Sequence, residues 1–278
     1  MKRTLIALAV IAGLGLAGGG FWLLHPPAQA SAAAAPPSDL TDFSNWSVLL
    51  VAGDYRAHSG APSKVFDNGR RDLATAFTKI GFKRANMLQF SVDYDDGTEH
   101  VAIPDIASNL QTLTSRAKGG CLIYFTSHGT PTGMVMGDTL LSPAQMHDMV
   151  GSACGNRPSV IVMSSCYSGQ FVAPLQADNR IIMTAARPDR ASFGCGEMDH
   201  YTFFDDCFLR ALPMAGDFPG LGGLVQQCVA EREREVKATP PSEPQVIVGS
   251  NVVFTLRWRD TPAFPSASPQ GGLPRQPT

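Results

Sequence analysis

Two reactive side chains follow apolar runs that are typical of buried strands. The run "SVIVMSSC" ends at Cys166, and the run "CLIYFTSHG" ends at His128 and Gly129. A free thiol, with a pKa of about 8.5, is mostly protonated at neutral pH, and a neighbouring imidazole either lowers that pKa or carries the protons during acyl transfer. If the two residues meet in the fold, we expect Cys166 to attack a carbonyl group with His128 as its base.

Each residue also has an ordinary structural explanation. Free cysteine is among the most frequently buried residues, and a single histidine in a loop most often packs or faces solvent. Their joint placement at strand ends gives the chemical interpretation equal weight. Gly129 could take part in such chemistry, because a residue without a Cβ lets its N–H approach a substrate carbonyl oxygen. A serine hydrolase using Ser168 is a weaker alternative, since "SSCYSG" lacks the glycine that a G-x-S-x-G turn requires.

The elements around these residues alternate between strand and helix. Apolar runs predict strands at "WSVLLVAG", "NMLQFS", "CLIYFTSHG", "SVIVMSSC" and "RIIMTAA", and a last strand in "QVIVGSNVVFTL". Helical spacing predicts helices in "KVFDNGRRDLATAFTKIGF", in "IPDIASNLQTLTSRAKGG", after a capping Ser142, and over roughly 201–213 and 221–237. This order predicts an α/β fold with a largely parallel sheet covered on both faces, whose ligands bind beyond the carboxyl ends of the strands.

The two ends of the chain differ in composition from its middle. Residues 1–30 have the basic start, the apolar stretch (4–24) and the small-residue "AQA" of an export signal, although the stretch is also long enough for an uncleaved membrane anchor. Residues 31–44 read as a flexible linker, 45–258 as the folded domain, and 259–278 as a proline-rich disordered tail. We expect an exported, periplasmic or otherwise extracytoplasmic protein, either released or held at the inner membrane by its anchor.

Net charge limits the classes of partner that we expect, and cysteine content limits the possible disulfides. The formal net charge of -2 and the absence of a basic, aromatic-rich patch argue against nucleic acid. Six cysteines in an oxidising compartment permit disulfides, but spacing does not determine their pairing. If Cys166 stays a free thiol, five remain, so at least one other cysteine is unpaired in a monomer.

Beyond these observations, the chain resembles the legumain-type cysteine peptidases, in particular their exported bacterial members, within the wider caspase-like group. The resemblance covers about residues 45–255 and rests on "IYFTSHG", "SSCYSG", "TAARPDRASFGCG" and the opening "VLLVAGDYRAHSGAPSKVFDNGRRDLATAF". It implies a caspase-like three-layer α/β/α sandwich with a mostly parallel central sheet, no metal or organic cofactor, and peptide or protein substrates. It makes Cys166 the nucleophile, His128 the general acid and base, and Gly129 a backbone oxyanion donor.

The resemblance also implies a pocket for asparagine or aspartate, which legumains form with an arginine, an acidic residue two before the nucleophile, a serine and an aspartate. Here the arginine position is Ser63, with Lys64 adjacent, and the acidic position is Ser164; Ser192 and Asp206 match. We therefore expect Lys64, Ser164, Ser192 and Asp206 to bind substrate. Lysine lacks the planar guanidinium group that forms two hydrogen bonds to one amide or carboxylate, which weakens the expectation of asparagine specificity. Alternatively, Lys64 is only a solvated residue in the first turn of the first helix.

The sequence thus predicts a cysteine-type endopeptidase that hydrolyses peptide bonds through a Cys166/His128 dyad and a thioester acyl-enzyme. Two alternatives stay open: a transpeptidase, since an amine competes with water for the same intermediate, and a catalytically silent caspase-like binding module of the cell envelope. Beyond the strand that follows Cys166, Arg187 and Arg190 either attract acidic peptides or pair with Asp189 and neighbouring acids on the surface.

Overall fold

A computed structural model describes residues 40–92 and 102–260. Its strands are β1 (Trp46–Ala52), β2 (Met87–Ser91), β3 (Gly120–Thr126), β4 (Gly129–Thr130), β5 (Gly133–Met136), β6 (Thr139–Leu141), β7 (Ser159–Ser164), β8 (Arg180–Thr184) and β9 (Gln245–Val248). Its α-helices are α1 (Val65–Lys79), α2 (Ile103–Arg116), α3 (Pro143–Cys154), α4 (Val172–Leu175), α5 (Phe203–Ala211) and α6 (Phe218–Val236).

Several predictions for the ends of the chain concern residues outside these two ranges. The expected signal or anchor at 1–30, most of the linker and all but two residues of the tail lie outside the described residues. Within the described ranges, no helix combines the length and the apolar character needed to cross a membrane.

The main sheet has six strands in the order β2-β1-β3-β7-β8-β9. All neighbours from β2 to β8 are parallel, and β9 is antiparallel to β8. The chain moves outward from β1 to β2 and then returns to add β3 on the other side of β1. The order therefore reverses between β1 and β3, and such a switch point opens a crevice beyond the carboxyl ends of the strands.

Helices cover both faces of this sheet. Successive strand residues point to opposite faces, so that Val48 and Leu50 of β1 pack in one core with α1, α5 and α6. Leu49 and Val51 pack in a second core with α2 and α3. Because both faces are buried, the central strands are continuously apolar, and the predicted three-layer α/β/α sandwich is confirmed.

The crossover from β3 to β7 includes α3, which begins where the sequence predicts. The Ser142 side chain accepts a hydrogen bond from the Gln145 N–H at 3.2 Å, and the Gln145 side chain accepts one from the Ser142 N–H at 2.9 Å. This reciprocal capping box stabilises the start of the helix that follows the His128 loop and returns the chain parallel to β3.

Two parts of the fold differ from the prediction. After His128 the chain forms a small antiparallel sheet, β4-β5-β6, whose strands of two to four residues are too short to leave a periodic pattern. The last strand ends at Val248, because Gly249 packs directly on neighbouring backbone: a Cβ there would lie 2.4 Å from the carbonyl oxygen of Ala177. The Asn251 N–H then donates to the Asp178 carbonyl, and the chain turns.

Two disulfides join neighbouring elements, one on each face of the main sheet. Cys121 in β3 is bonded to Cys154 at the end of α3, and Cys207 in α5 is bonded to Cys228 in α6. Cys166 and Cys195 are free, so the expectation of a second unpaired cysteine agrees with the structure.

Loss of the α5–α6 disulfide should destabilise the fold. The bridge closes a loop with a sequence separation of 21 residues. A Cys207→Ala/Cys228→Ala double variant should therefore lose about 3 kcal/mol of unfolding free energy in urea titrations, because its unfolded chain gains loop entropy. Cys195→Ala, which removes a free thiol, serves as the control. Equal stability of the double variant and the wild type would contradict the assignment of the bridge.

Candidate active site

The edge of the sheet beyond β3 and β7 holds both predicted catalytic residues. Thr126, the last residue of β3, pairs with Ser164, the last residue of β7, in parallel register. The Ser127 N–H continues this ladder by donating to the Ser164 carbonyl at 3.1 Å. His128 and Cys166 each lie two residues beyond this pair, so they are at the same level of the same edge. Both side chains are half-buried.

The loops that carry the two residues are in direct contact. A Cβ on Gly129 would lie 2.0 Å from the Cys166 carbonyl oxygen, so only glycine permits this approach. The Gln170 side-chain amide donates to the carbonyl of Thr130 at 2.7 Å and to that of Tyr167 at 3.0 Å. The backbone after the histidine is thereby joined to the backbone after the cysteine.

The Gly129 N–H lies outside the ladder of the small sheet. Gly129 pairs with Met134 in antiparallel register, and the Val135 N–H donates to the His128 carbonyl at 2.9 Å. In an antiparallel ladder this pattern makes Gly129 and Met134 a non-hydrogen-bonded pair. The N–H of Gly129 is therefore available to a group other than β5.

A backbone carbonyl and an aromatic ring hold the imidazole of His128. Its Nε2 lies 2.9 Å from the carbonyl oxygen of Arg56, in the loop after β1. A carbonyl only accepts hydrogen bonds, so we assign the proton to Nε2, which leaves Nδ1 with a lone pair. The Phe66 ring packs edge-on against the imidazole, with ring centroids 5.0 Å apart.

The thiol of Cys166 is surrounded by polar groups of Ser192. Its Sγ accepts a hydrogen bond from the Ser192 N–H at 3.2 Å and lies 3.6 Å from the Ser192 carbonyl oxygen and 3.7 Å from its Oγ. A backbone N–H at this distance stabilises the negative charge of a thiolate. Tyr167 turns the chain sharply after Cys166, with φ at 57°, and its N–H donates to the Arg190 carbonyl.

The second free thiol has a different environment. Cys195 packs against Val65 and Phe66. Burial, with smaller contributions from the nearby Cys166 and Asp199, raises the pKa of the Cys195 thiol to about 11. Cys195 is therefore protonated at neutral pH and is a slow nucleophile.

A buried carboxyl group lies just below the site. Asp205 in α5 is 0% exposed and accepts hydrogen bonds from the hydroxyls of Tyr124 and Thr126, both at 2.6 Å. The Ser164 hydroxyl lies near this carboxyl group but out of hydrogen-bonding geometry with it. Burial raises the pKa of Asp205 despite the hydrogen bonds that lower it. Asp205 thus contacts the strand end two residues before His128 and lies beside the strand end two residues before Cys166.

The four predicted substrate-binding residues occupy different surroundings. Ser192 contacts the Cys166 thiol itself. Lys64 is exposed at the start of α1, and Ser164 is 1% exposed. The Asp206 carboxylate pairs with Arg232 and, at 3.6 Å, with Arg210. It also lines a cavity of about 290 Å³ between α1 and α5, whose lining residues include neither Cys166 nor His128.

The basic residues beyond β8 are paired with acids. Arg187 contacts Asp189 at 3.1 Å and Glu243 at 2.9 Å, and Arg190 contacts Asp189 at 2.6 Å. This agrees with surface pairing, the second of the two interpretations of these residues.

Sequence reasoning missed two groups that contact the site. The Arg56 carbonyl could not be identified from residue types, because every residue carries one. For Asp205 the sequence does contain a signal, but the functional role was assigned to its neighbour Asp206. In "FFDDCF", helical spacing from the α5 cap places Asp205 on the face toward the sheet.

Comparisons with known proteins agree with this geometry. Residues 96–215, which include both motifs, match the model of the Peptidase C13 family. The chain is a cysteine peptidase, and over residues 96–215 it is similar to the legumain type. Its fold is similar to the crystal structure of caspase-1 from Spodoptera frugiperda, with a TM-score of 0.56 and 15% sequence identity over 81% of this chain and 92% of that one. No curated protein matches the sequence.

The donor groups at this site are suited to nucleophilic acyl transfer. In the described part of the chain, no three His, Cys, Asp or Glu side chains form a group that could hold a metal ion. The residues at the strand ends are instead a thiol, an imidazole and backbone N–H groups, which are the components of nucleophilic acyl transfer.

The raised pKa of Asp205 predicts a pH-dependent effect of Asp205→Asn. The folded state holds this proton more tightly than the unfolded chain, whose aspartate pKa is about 3.9. The stabilisation is therefore fully present below that value and declines as pH rises toward the raised folded pKa. Because asparagine does not ionise, the unfolding free energy of the wild type minus that of Asp205→Asn should fall between pH 4 and pH 7.

Urea titrations of both proteins at the two pH values measure this difference. Asp178→Asn, a substitution of an exposed aspartate, is the control and should show no comparable fall. A difference for Asp205→Asn that stays constant or rises with pH would contradict the assignment.

Proposed function

We propose that this legumain-type peptidase is an endopeptidase with Cys166 as nucleophile and His128 as general acid and base. The observation that supports the dyad most directly is the paired register of Thr126 and Ser164, which sets both residues at one level of the sheet edge. The Nε2 contact with Arg56 supports it further, because it leaves Nδ1 as the basic nitrogen.

The reaction then proceeds in two stages. Nδ1 of His128 takes the thiol proton, and Sγ of Cys166 attacks the carbonyl carbon of the scissile bond. As the tetrahedral intermediate collapses, the C–N bond breaks and His128 gives its proton to the leaving amine, which leaves a thioester. Water, deprotonated by His128, attacks the thioester, releases the new carboxyl group and restores the thiol.

Backbone groups stabilise the charges that arise in these steps. The N–H of Ser192, which lies 3.2 Å from Sγ of Cys166, stabilises the thiolate that forms in the first step. The N–H of Gly129, outside the β4–β5 ladder, donates to the oxyanion of the intermediate. One such donor lowers the barrier by about 3 kcal/mol.

We also propose that the protein is exported and acts outside the cytoplasm on peptide or protein substrates. The basic, apolar and small-residue pattern of residues 1–30 supports export. The Cys121–Cys154 and Cys207–Cys228 bridges support it independently, because such bonds persist in oxidising compartments.

The dyad is tested by thiol labelling of the native protein with iodoacetamide at pH 7, followed by peptide mapping. Cys166 should react at least about tenfold faster than Cys195, and His128→Ala should remove this preference. His147→Ala is a matched control, because the ring of His147 also contacts a backbone carbonyl, that of Pro174, but lies in α3. Labelling of Cys166 that is unaffected by His128→Ala would overturn the dyad.

Export is tested by the N-terminus and location of the mature protein expressed with its full sequence. A start at Ser31 in an extracytoplasmic fraction indicates cleavage after "AQA", and a membrane-bound protein that keeps residues 4–24 indicates an anchor. An intact chain in the cytoplasmic fraction would contradict export.

A further inference from the structure

A second buried carboxylate lies at the switch point of the sheet, in the loop after β1. Asp54 is 5% exposed, and one of its oxygens, Oδ1, accepts three hydrogen bonds. They come from the Tyr55 N–H at 2.8 Å, the Arg56 N–H at 3.1 Å and the Arg56 Nε at 2.8 Å. One oxygen therefore constrains the backbone of two successive residues and the side chain of the second.

The same loop is also fixed to the small sheet. The Arg56 guanidinium donates to the Gly137 carbonyl at 3.0 Å, and the Gly137 N–H donates to the Gly53 carbonyl at 2.8 Å. Gly53 packs so tightly that a Cβ there would lie 2.4 Å from the Val135 carbonyl oxygen. The loop after β1 thus has little freedom to rotate its peptide groups.

These bonds determine the direction of one carbonyl group. The Arg56 carbonyl lies 2.9 Å from Nε2 of His128, and the N–H of the same residue donates to the Asp54 carboxylate. A rotation of this peptide would move the acceptor away from the imidazole. His128 would then be able to exchange tautomers, and its basic nitrogen would no longer be fixed at Nδ1.

We propose that Asp54 is a positioning residue for catalysis, which acts through the Arg56 carbonyl to hold His128 in the Nε2–H tautomer. This inference rests on the proposed Cys166/His128 chemistry. Asp54 acts through geometry rather than through its charge, because the Arg56 guanidinium lies against the carboxylate at 2.8 Å and neutralises it. A loss of this alignment reduces the fraction of enzyme in which Nδ1 faces the thiol.

Two substitutions separate geometry from charge. Asp54→Ala removes every acceptor and should slow labelling of Cys166 by iodoacetamide at pH 7 by about 10- to 100-fold, the usual effect of losing an outer-shell partner. Asp54→Asn keeps an oxygen in the position that accepts all three bonds and should stay within about fivefold of the wild type. If both variants slow labelling equally, or neither does, the proposal is overturned.

A matched control accounts for a general loss of stability. Asp217 also accepts a backbone N–H, that of Gly220, but at the start of α6, where Phe218 packs on Phe43 at the opposite edge of the sheet. Asp217→Ala should lower the unfolding free energy, as Asp54→Ala does, without slowing the labelling of Cys166. Equal slowing by both variants would show that Asp54 contributes only to folding.

The tautomer itself gives a spectroscopic test. In 15N-labelled wild-type protein at a pH where His128 is neutral, its imidazole signals should show a protonated Nε2 and an unprotonated Nδ1. In Asp54→Ala these signals should move toward the average of both tautomers, and in Asp54→Asn they should not. An unchanged Nε2–H signal in Asp54→Ala would overturn the proposal.

The His128→Ala background distinguishes this proposal from the dyad. If the dyad is correct, His128→Ala slows labelling of Cys166, and adding Asp54→Ala slows it no further. If His128→Ala leaves labelling unchanged, the dyad fails. If His128→Ala slows labelling but Asp54→Ala alone does not, the dyad stands and the positioning role fails.

Discussion

The parallel register between β3 and β7 is the constraint on which the candidate site depends. Thr126 and Ser164 are paired, and each is followed after one residue by a reactive side chain. A slip of one residue would move His128 by about 3.3 Å in the direction of the strands and turn alternate side chains to the other face. Both strands are buried on both faces, so such a slip would misplace two apolar cores at once.

Two buried carboxyl groups contact this edge of the sheet from different sides, and they have different kinds of partner. The Asp54 carboxylate is compensated by a guanidinium and by backbone N–H groups. Asp205 has only hydroxyl partners in the described structure, and its raised pKa follows from that environment. The first residue orients the loop that contacts His128, and the second secures the strand ends beneath it. The edge is therefore rigid where the chemistry is proposed to occur.

The sequence was informative wherever a physical requirement repeats along the chain. Strands buried on both faces must be apolar throughout, and α3 carries a capping box, so β1, β3, β7, β8 and this helix could be predicted. His128 and Cys166 were recognisable because they directly follow two such strands. The Arg56 carbonyl was not, since its role depends on where a loop folds. The small sheet was missed because its strands are too short for periodicity, and in α5 the functional position was assigned to Asp206, whereas Asp205 faces the sheet.

The dyad and the expected specificity pocket depend on the fold in different ways. Two adjacent strands carry the proposed dyad, so one register is sufficient to place both residues. The positions that resemble a legumain pocket come from four separate segments: the start of α1, the end of β7, the loop after β8, and α5. In this chain Ser192 contacts the sulfur, Ser164 is buried, and Asp206 pairs with two arginines. A pocket assembled from four segments can change one residue at a time while the register is kept, so the same catalytic edge can serve a different choice of substrate.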